Sequence, residues 1–152
     1  MIPEFVGRFP VITTTKGLDL DDLIRILTQP RNSIMKQYRR LFAMDDVDFH
    51  VTEGGLYEIA KIALSRGTGA RGLRSIADSV LMETQYIVPS LPDVHTVYVD
   101  AHAVCGKRKP ILFTDPFMTV ERYEQLREQG ELEVDGAVSV NIDDDEGQEV
   151  AA

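Results

Sequence analysis

Apolar residues recur at helical spacing in four stretches of this chain, and each stretch predicts a helix that buries one face. Pro30 separates the first two stretches, because a proline interrupts or kinks a helix. The face opposite the second apolar set carries Lys36, Arg39 and Arg40, which we interpret as a solvated surface. The four apolar faces are Leu20, Leu23, Ile24 and Leu27; Ile34, Tyr38, Leu41 and Phe42; Leu56, Ile59, Ala60 and Ala63; and Leu73, Ile76, Ala77, Val80 and Leu81.

Three short segments, residues 47–51, 96–99 and 111–114, predict strands because they are rich in β-branched and aromatic residues or alternate apolar with polar ones. His50 falls on the polar side of the first strand. We expect a surface histidine there, since no second ligand stands at a spacing suited to a metal. The order of helices and strands predicts an α+β fold, with helices packed on a two- or three-stranded sheet.

The two ends of the chain differ from this body. Residues 1–17 contain Pro3 and Pro10 and a β-branched run, so we expect an extended segment that belongs to the edge of something larger. A short helix is predicted from Glu121 to Gln129. Residues 131–152 carry 8 acidic and no basic residues, so the stretch after residue 114 is predicted to be an acidic, largely disordered tail.

Charge and composition exclude several classes of protein. The net charge of −9 is uneven, because residues 1–114 carry a net +1 and residues 115–152 a net −10. A near-neutral body with an acidic tail argues against nucleic-acid binding as the main role. The sequence contains no run of 18 apolar residues, so we predict no membrane-spanning helix. The single cysteine, Cys105, leaves no internal disulfide and no cysteine-based zinc site, and we predict no metal site.

The stretch from Gly67 to Arg74, between two predicted helices, is the main candidate for chemistry. Arg71 and Arg74 stand at the start of the second helix, where the helix dipole already disfavours cations, so a bound anion such as phosphate would complete the arrangement. A tight interhelical turn with Gly67 at the C′ position and surface arginines is the alternative. The glycines match a dinucleotide fingerprint, which we reject because a helix precedes them, and a P-loop lysine is missing.

Three motifs, in order and spacing, resemble the ClpX family of AAA+ unfoldases, the partners of the ClpP peptidase. They are residues 2–10 (IPEFVGRFP), 26–32 (ILTQPRN) and 68–76 (TGARGLRSI). The related HslU family fits the third motif less well. The resemblance covers roughly residues 1–113 and implies that residues 1–17 end the large AAA+ subdomain and hinge, residues 18–114 form the small C-terminal subdomain, and residues 115–152 form the tail.

The resemblance also implies roles for individual residues. Arg8 would be the arginine finger, which reaches in trans to the nucleotide of a neighbouring subunit. Arg71 would be the sensor-2 arginine, which contacts the γ-phosphate in its own subunit, and Gly69 and Ala70 would lie beside the nucleotide. Arg74 matches the motif but is given only a supporting role. Both arginine roles fit phosphoryl transfer, in which a guanidinium stabilises charge on the γ-phosphoryl oxygens.

As a whole, the resemblance implies part of an ATP-dependent, hexameric unfoldase that unfolds tagged or unfolded protein substrates and feeds them to ClpP. ATP and magnesium would be held mainly by a large subdomain, because this chain contains no P-loop, magnesium-binding acidic pair or pore-loop motif. The chain alone is therefore predicted to lack ATPase activity. The alternative is a free-standing interaction or regulatory module. The long acidic tail favours the mitochondrial matrix, with the bacterial cytoplasm as the alternative.

Overall fold

Every predicted helix and strand forms, and one short helix is added. The computed structural model describes residues 13–115, 117–128 and 137–138. The helices are α1 (Leu20–Thr28), α2 (Ile34–Phe42), α3 (Glu53–Ser65), α4 (Ala70–Ile87), α5 (Ala101–Val104) and α6 (Val120–Glu128). The strands are β1 (Asp48–Val51), β2 (Thr96–Val99), β3 (Ile111–Phe113) and β4 (Ala137–Val138). Among these described residues, no helix is both long and apolar enough to cross a membrane.

Local signals at the helix starts explain why the helices begin where they do. Thr52 caps α3, because its Oγ1 accepts a hydrogen bond from the N–H of Gly55 at 3.1 Å. Ser33 caps α2 in the same way, accepting from the N–H of Lys36. The Nζ of Lys36 in turn donates to the carbonyls at the end of α1, Gln29 and Pro30, at 3.3 and 3.0 Å. The turn around Pro30 is thus tied to α2.

The sheet is mixed, with the strand order β1-β2-β3-β4. β1 runs parallel to β2, and the connection between them contains α3 and α4, as a parallel pair requires a long crossover. β2 and β3 are antiparallel and are joined through α5. The three longer strands confirm the expected small α+β sheet. β4 adds two residues, which pair with the edge of β3.

The main hydrophobic core fills the space between helices α1 to α4 and one face of the sheet. Leu23, Leu27 and Leu73 are completely buried there. Phe42 stacks on Phe49 of β1 with ring centroids 5.2 Å apart, which joins α2 to the sheet. The side chains that face inward are those that the helical spacing predicted, except that Leu41 is 43% exposed. Successive residues of a helix are about 100° apart, so Leu41 lies at the margin of the buried face, which is centred between Tyr38 and Phe42.

The opposite face of the sheet carries a second, smaller cluster. Tyr98, Ile111 and Phe113 project from this face, and Tyr123 of α6 packs on them with 3% of its surface exposed. The short helix predicted in this region is therefore confirmed, and it covers the sheet. The domain boundary at residue 114 stays a prediction. Residues 1–12, 116, 129–136 and 139–152 lie outside the described residues, as do the predictions made for them.

Candidate functional site

The turn between α3 and α4 has the geometry of a glycine-terminated helix. The N–H of Thr68 donates to the carbonyl of Ala63 at 3.3 Å, and the N–H of Gly67 donates to that of Leu64 at 3.0 Å. These two bonds, with Gly67 at φ +63°, form a Schellman motif in which Gly67 is the C′ residue. The interhelical-turn interpretation is thus confirmed. It describes how the backbone turns and leaves the function of the following helix open.

The N-terminus of α4 is open to a ligand. Its N-cap residue is Gly69, at φ +56° and ψ −146°, a conformation that glycine adopts without steric cost. No side chain caps this helix, although the first N–H groups of an α-helix have no partner within the helix. Apart from the glycine and its two chain neighbours, no heavy atom of the described residues lies within 4 Å of the point where a Cβ of Gly67 or Gly69 would stand. Ala70 is the first helical residue and is half-buried.

The two arginines of the first turns of α4 differ in their partners. The guanidinium of Arg74 donates to Oε1 of Gln37 at 2.9 Å, and its Nε lies 3.9 Å from Oδ2 of Asp78. Arg71 is exposed, and within the described part of the chain no hydrogen bond or ion pair involves its side chain. Arg71 is therefore available to an external anion, whereas Arg74 is engaged inside the domain.

These features suit an anion such as a phosphate group. A free guanidinium and uncapped helix N–H groups lie within one helical turn, and both are donors suited to phosphate oxygens. Within the described residues, no group of His, Cys, Asp or Glu side chains is arranged to hold a metal ion. Arg8, the predicted arginine finger, lies outside the described residues. The site that the structure brings together therefore consists of Gly69, Ala70 and Arg71.

Arg108 and Lys109, in the loop between α5 and β3, are both paired with carboxylates. Arg108 pairs with Asp100 at 2.6 Å, and Lys109 pairs with Glu83 at 2.6 Å. Asp100 is 3% exposed, and its carboxylate also accepts the N–H of Ala103, which caps α5. No pattern in the sequence pointed to Asp100. Only the tertiary fold shows that this aspartate, directly after β2, is buried and that it pairs with Arg108, eight residues away.

Two clefts lie along the sheet, away from the α3–α4 turn. A cleft of about 540 Å³ is lined in part by His50, His95 and Asp115, and one of about 470 Å³ by residues of α5 and α6. His50 is half-buried and stacks on Tyr98 at a centroid distance of 5.7 Å, so it is less exposed than the surface position expected for it. The stacking partner comes from the neighbouring strand, which the sequence of β1 alone cannot show.

Comparison with known proteins places this fold in a family. Residues 18–85 match the C-terminal, D2-small domain of ClpB protein. The chain is 46% identical over 107 residues to the ATP-dependent Clp protease ATP-binding subunit ClpX 3 of Methylococcus capsulatus, a match that covers 70% of this chain and 25% of the relative. The chain belongs to the ClpX family. The corresponding ClpX subunit of Azotobacter vinelandii is 47% identical over 100 residues, covering 66% of this chain and 23% of the relative.

The ClpX relationship has a limited extent. The matched part of the chain spans about a quarter of the length of these relatives, and the ClpB match identifies it with a C-terminal small domain. The fold predicted from the resemblance, a small AAA+ C-terminal subdomain, is confirmed. The complete relatives are much longer than the matched part, and their activity is a property of that full length.

Proposed function

We propose that this chain acts as the C-terminal portion of an ATP-dependent ClpX-type protein unfoldase. Both relatives are described as ATP-binding subunits of an ATP-dependent Clp protease, which supports the proposal. In such an assembly the protein is a homo-hexamer that unfolds protein substrates, including tagged ones, and passes them to the ClpP peptidase. The small domain contributes to ATP hydrolysis by contacting a nucleotide that is held mainly by a large subdomain.

The free side chain of Arg71 is the observation that carries this proposal. A cation that has no partner in its own domain, placed beside uncapped N–H groups, is costly at a helix N-terminus unless an anion compensates it. In the proposed role, Arg71 donates to the terminal phosphate in its own subunit and stabilises the charge that develops during phosphoryl transfer. Gly69 and Ala70 leave room for that phosphate. Bound ATP with magnesium supplies the phosphoryl group and neutralises part of its charge.

Arg8 is proposed as the arginine finger, which acts on the nucleotide of the neighbouring subunit. This assignment is supported by the motif at residues 2–10 alone. It requires a ring in which one subunit's residue completes the site of the next, as heterologous ring interfaces allow. Both relatives come from bacteria, so the comparisons support the bacterial cytoplasm, the alternative, over the mitochondrial matrix.

A chimera tests the role of Arg71 directly. This chain would replace the matching part of the Azotobacter vinelandii relative, and ATP hydrolysis would be measured for Arg71→Ala. Losing a charge-assisted hydrogen bond worth about 1.5–3 kcal/mol lowers the rate roughly 10- to 150-fold. Arg66→Ala is the matched control, because Arg66 is an exposed arginine at the end of α3, in the same turn.

Two results would contradict the proposal. Hydrolysis by Arg71→Ala that equals that of Arg66→Ala would remove the role of Arg71. The chain alone is expected to show no ATP turnover, so hydrolysis by the purified chain that persists in Arg71→Ala would point to a different site. An isolated chain that joins a ClpX ring or alters its activity as a separate polypeptide would favour the free-standing interaction module.

A further inference from the structure

Four side chains join the start of α4 to α2, and we refer to them as the polar clamp: Gln37, Tyr38, Arg74 and Asp78. Gln37 and Tyr38 are neighbours on α2, and Arg74 and Asp78 lie one turn apart on α4. The hydroxyl of Tyr38 donates to Oδ1 of Asp78, and Nη1 of Arg74 donates to Oε1 of Gln37 at 2.9 Å. Two hydrogen bonds thus cross between the same two helices, one in each direction.

The Tyr38–Asp78 bond is the stronger of the two. Tyr38 is 6% exposed, and its ring lies in the core beside Phe49 at 6.0 Å. Burial first, and then the hydrogen bond to the Asp78 carboxylate, raises the pKa of Tyr38 well above its ordinary value, so the hydroxyl remains a donor. A hydrogen bond to a charged acceptor is stronger than a neutral one. The Arg74–Asp78 ion pair is exposed and 3.9 Å long, so it contributes little by itself.

The clamp fixes the rotation of α4 near Arg71. Residues 71, 74 and 78 are spaced at i, i+3 and i+7, so they share one side of the helix. The helix begins only one residue before Arg71, at an N-cap that no side chain stabilises. In the first turn of α4, Leu73 anchors the inner side of the helix in the core, while no side chain caps the helix start. On the side of the helix that carries Arg71, the clamp adds polar attachments that begin one turn away.

We propose that Tyr38 and Asp78 are positioning residues for Arg71, which hold the first turns of α4 in the orientation that presents its guanidinium to the phosphate. This inference rests on the proposed function of Arg71. Neither residue touches the nucleotide. The clamp acts by limiting the rotation and fraying of the helix start, and a misplacement of about 1 Å of a group that acts on the transition state costs up to 100-fold in rate.

Kinetics of the chimera separate positioning from simple structural support. Tyr38→Phe removes one oxygen atom and leaves the ring in the core, and Asp78→Asn removes the charge. We expect each to lower kcat for ATP hydrolysis roughly tenfold with KM for ATP within about twofold, because a group needed only in the transition state changes kcat. Tyr86→Phe and Asp45→Asn are the controls, since both residues are exposed. They are expected to keep the parent kcat.

A core variant tests the structural explanation. Ile59→Val removes one methyl group from the main core, on α3, a helix that carries none of the clamp residues. If Tyr38→Phe lowers Tm no more than Ile59→Val does but lowers kcat much further, the positioning role is supported. A kcat that follows Tm equally in both variants would overturn it.

Hydrogen exchange, measured on this chain by itself and not in the chimera, gives an independent measurement that needs no ATPase activity. Tyr38→Phe and Asp78→Asn should speed amide exchange at residues 72–76 by roughly tenfold, while the second half of α4 keeps its protection. Unchanged exchange at residues 72–76 would overturn the clamp. The two proposals fail differently. If Arg71→Ala leaves ATP hydrolysis by the chimera unchanged, the proposed function of Arg71 is ruled out. If Arg71→Ala lowers hydrolysis but Tyr38→Phe does not, only the positioning role of the clamp is ruled out.

Discussion

Gly72 lies directly against Thr68, so that a Cβ added at Gly72 would stand 1.9 Å from Oγ1 and 2.8 Å from Cβ of Thr68. Rotating the threonine side chain moves Oγ1 but leaves Cβ in place, and Cβ is already too close. The backbone of the turn must therefore shift to accept any larger residue. This contact fixes how closely the α3–α4 turn folds onto the first turn of α4, next to Arg71.

Gly72→Ala is expected to destabilise the domain, although alanine normally favours a helix by about 1 kcal/mol over glycine. Overpacking costs about 1–3 kcal/mol, so the net free energy of unfolding should fall, as measured by urea denaturation. Gly54→Ala is the matched control on α3. Its new Cβ would meet Ala101 at 3.6 Å, an ordinary contact, so stability should rise. Equal gains for the two variants would contradict the contact with Thr68.

The α3–α4 turn shows what the sequence could and could not predict. Glycine spacing and helical periodicity predicted the turn, the C′ position of Gly67 and both flanking helices, because those features depend on neighbouring residues. The distinction between a free Arg71 and an engaged Arg74 depends on Gln37, which is 37 residues away on another helix. No local pattern contains that information, and the family motif alone separated the two arginines.

The other differences have the same origin. α5 spans four residues, too few for a periodic pattern, and its cap is the buried Asp100. The half-burial of His50 results from a ring on the next strand. α6 was predicted as a short helix, but its attachment to the sheet was not, because Tyr123 finds its aromatic partners only after the strands have paired. Local elements could be read from the pattern, and tertiary partners could not.

Asp100→Ala is expected to lower the free energy of unfolding by about 2–4 kcal/mol. The substitution removes the cap of α5 and leaves the Arg108 guanidinium without its 2.6 Å partner in a partly buried position. Arg127, 3.6 Å from the same carboxylate, loses a weaker contact. Chemical denaturation measures the change. The control, Asp93→Ala, alters an exposed aspartate and should stay within about 0.5 kcal/mol of the parent. A change for Asp100→Ala as small as the one expected for this control would show that Asp100 is dispensable.

Tyr98 should titrate late and make stability fall at high pH. Burial, followed by the charge of Glu124 and their hydrogen bond, raises the pKa of Tyr98 from 10.0 to about 12. A raised pKa favours the neutral phenol in the folded state, so this contribution is complete below pH 10 and is lost as the pH rises through about 12. The expected loss is about 2–3 kcal/mol.

The titration is measured as phenolate absorbance, with Tyr98→Phe subtracted to isolate this ring from the other tyrosines. The same subtraction, applied to the free energy of unfolding against pH, isolates the contribution of Tyr98 from the titration of lysines. Glu124→Gln should bring the pKa of Tyr98 down, and Glu121→Gln on the exposed side of α6 should not. If the difference in phenolate absorbance between the parent and Tyr98→Phe is centred near pH 10, the Tyr98 phenol is solvated.

Tyr123→Ala is expected to release α6 while the main core stays folded. Tyr123 packs against Tyr98 at 5.2 Å and Phe113 at 5.1 Å, in a cluster that lies on the opposite face of the sheet from the main core. Because the two clusters are separate, the loss should be local. Amide exchange should accelerate across α6 but not in α1 to α4, and a dye that binds apolar surface should report the uncovered face. Phe117→Ala removes a side chain that is 76% exposed and should change neither signal. Uniformly faster exchange through α1 to α4 would instead show that α6 and the main core unfold as one cooperative unit.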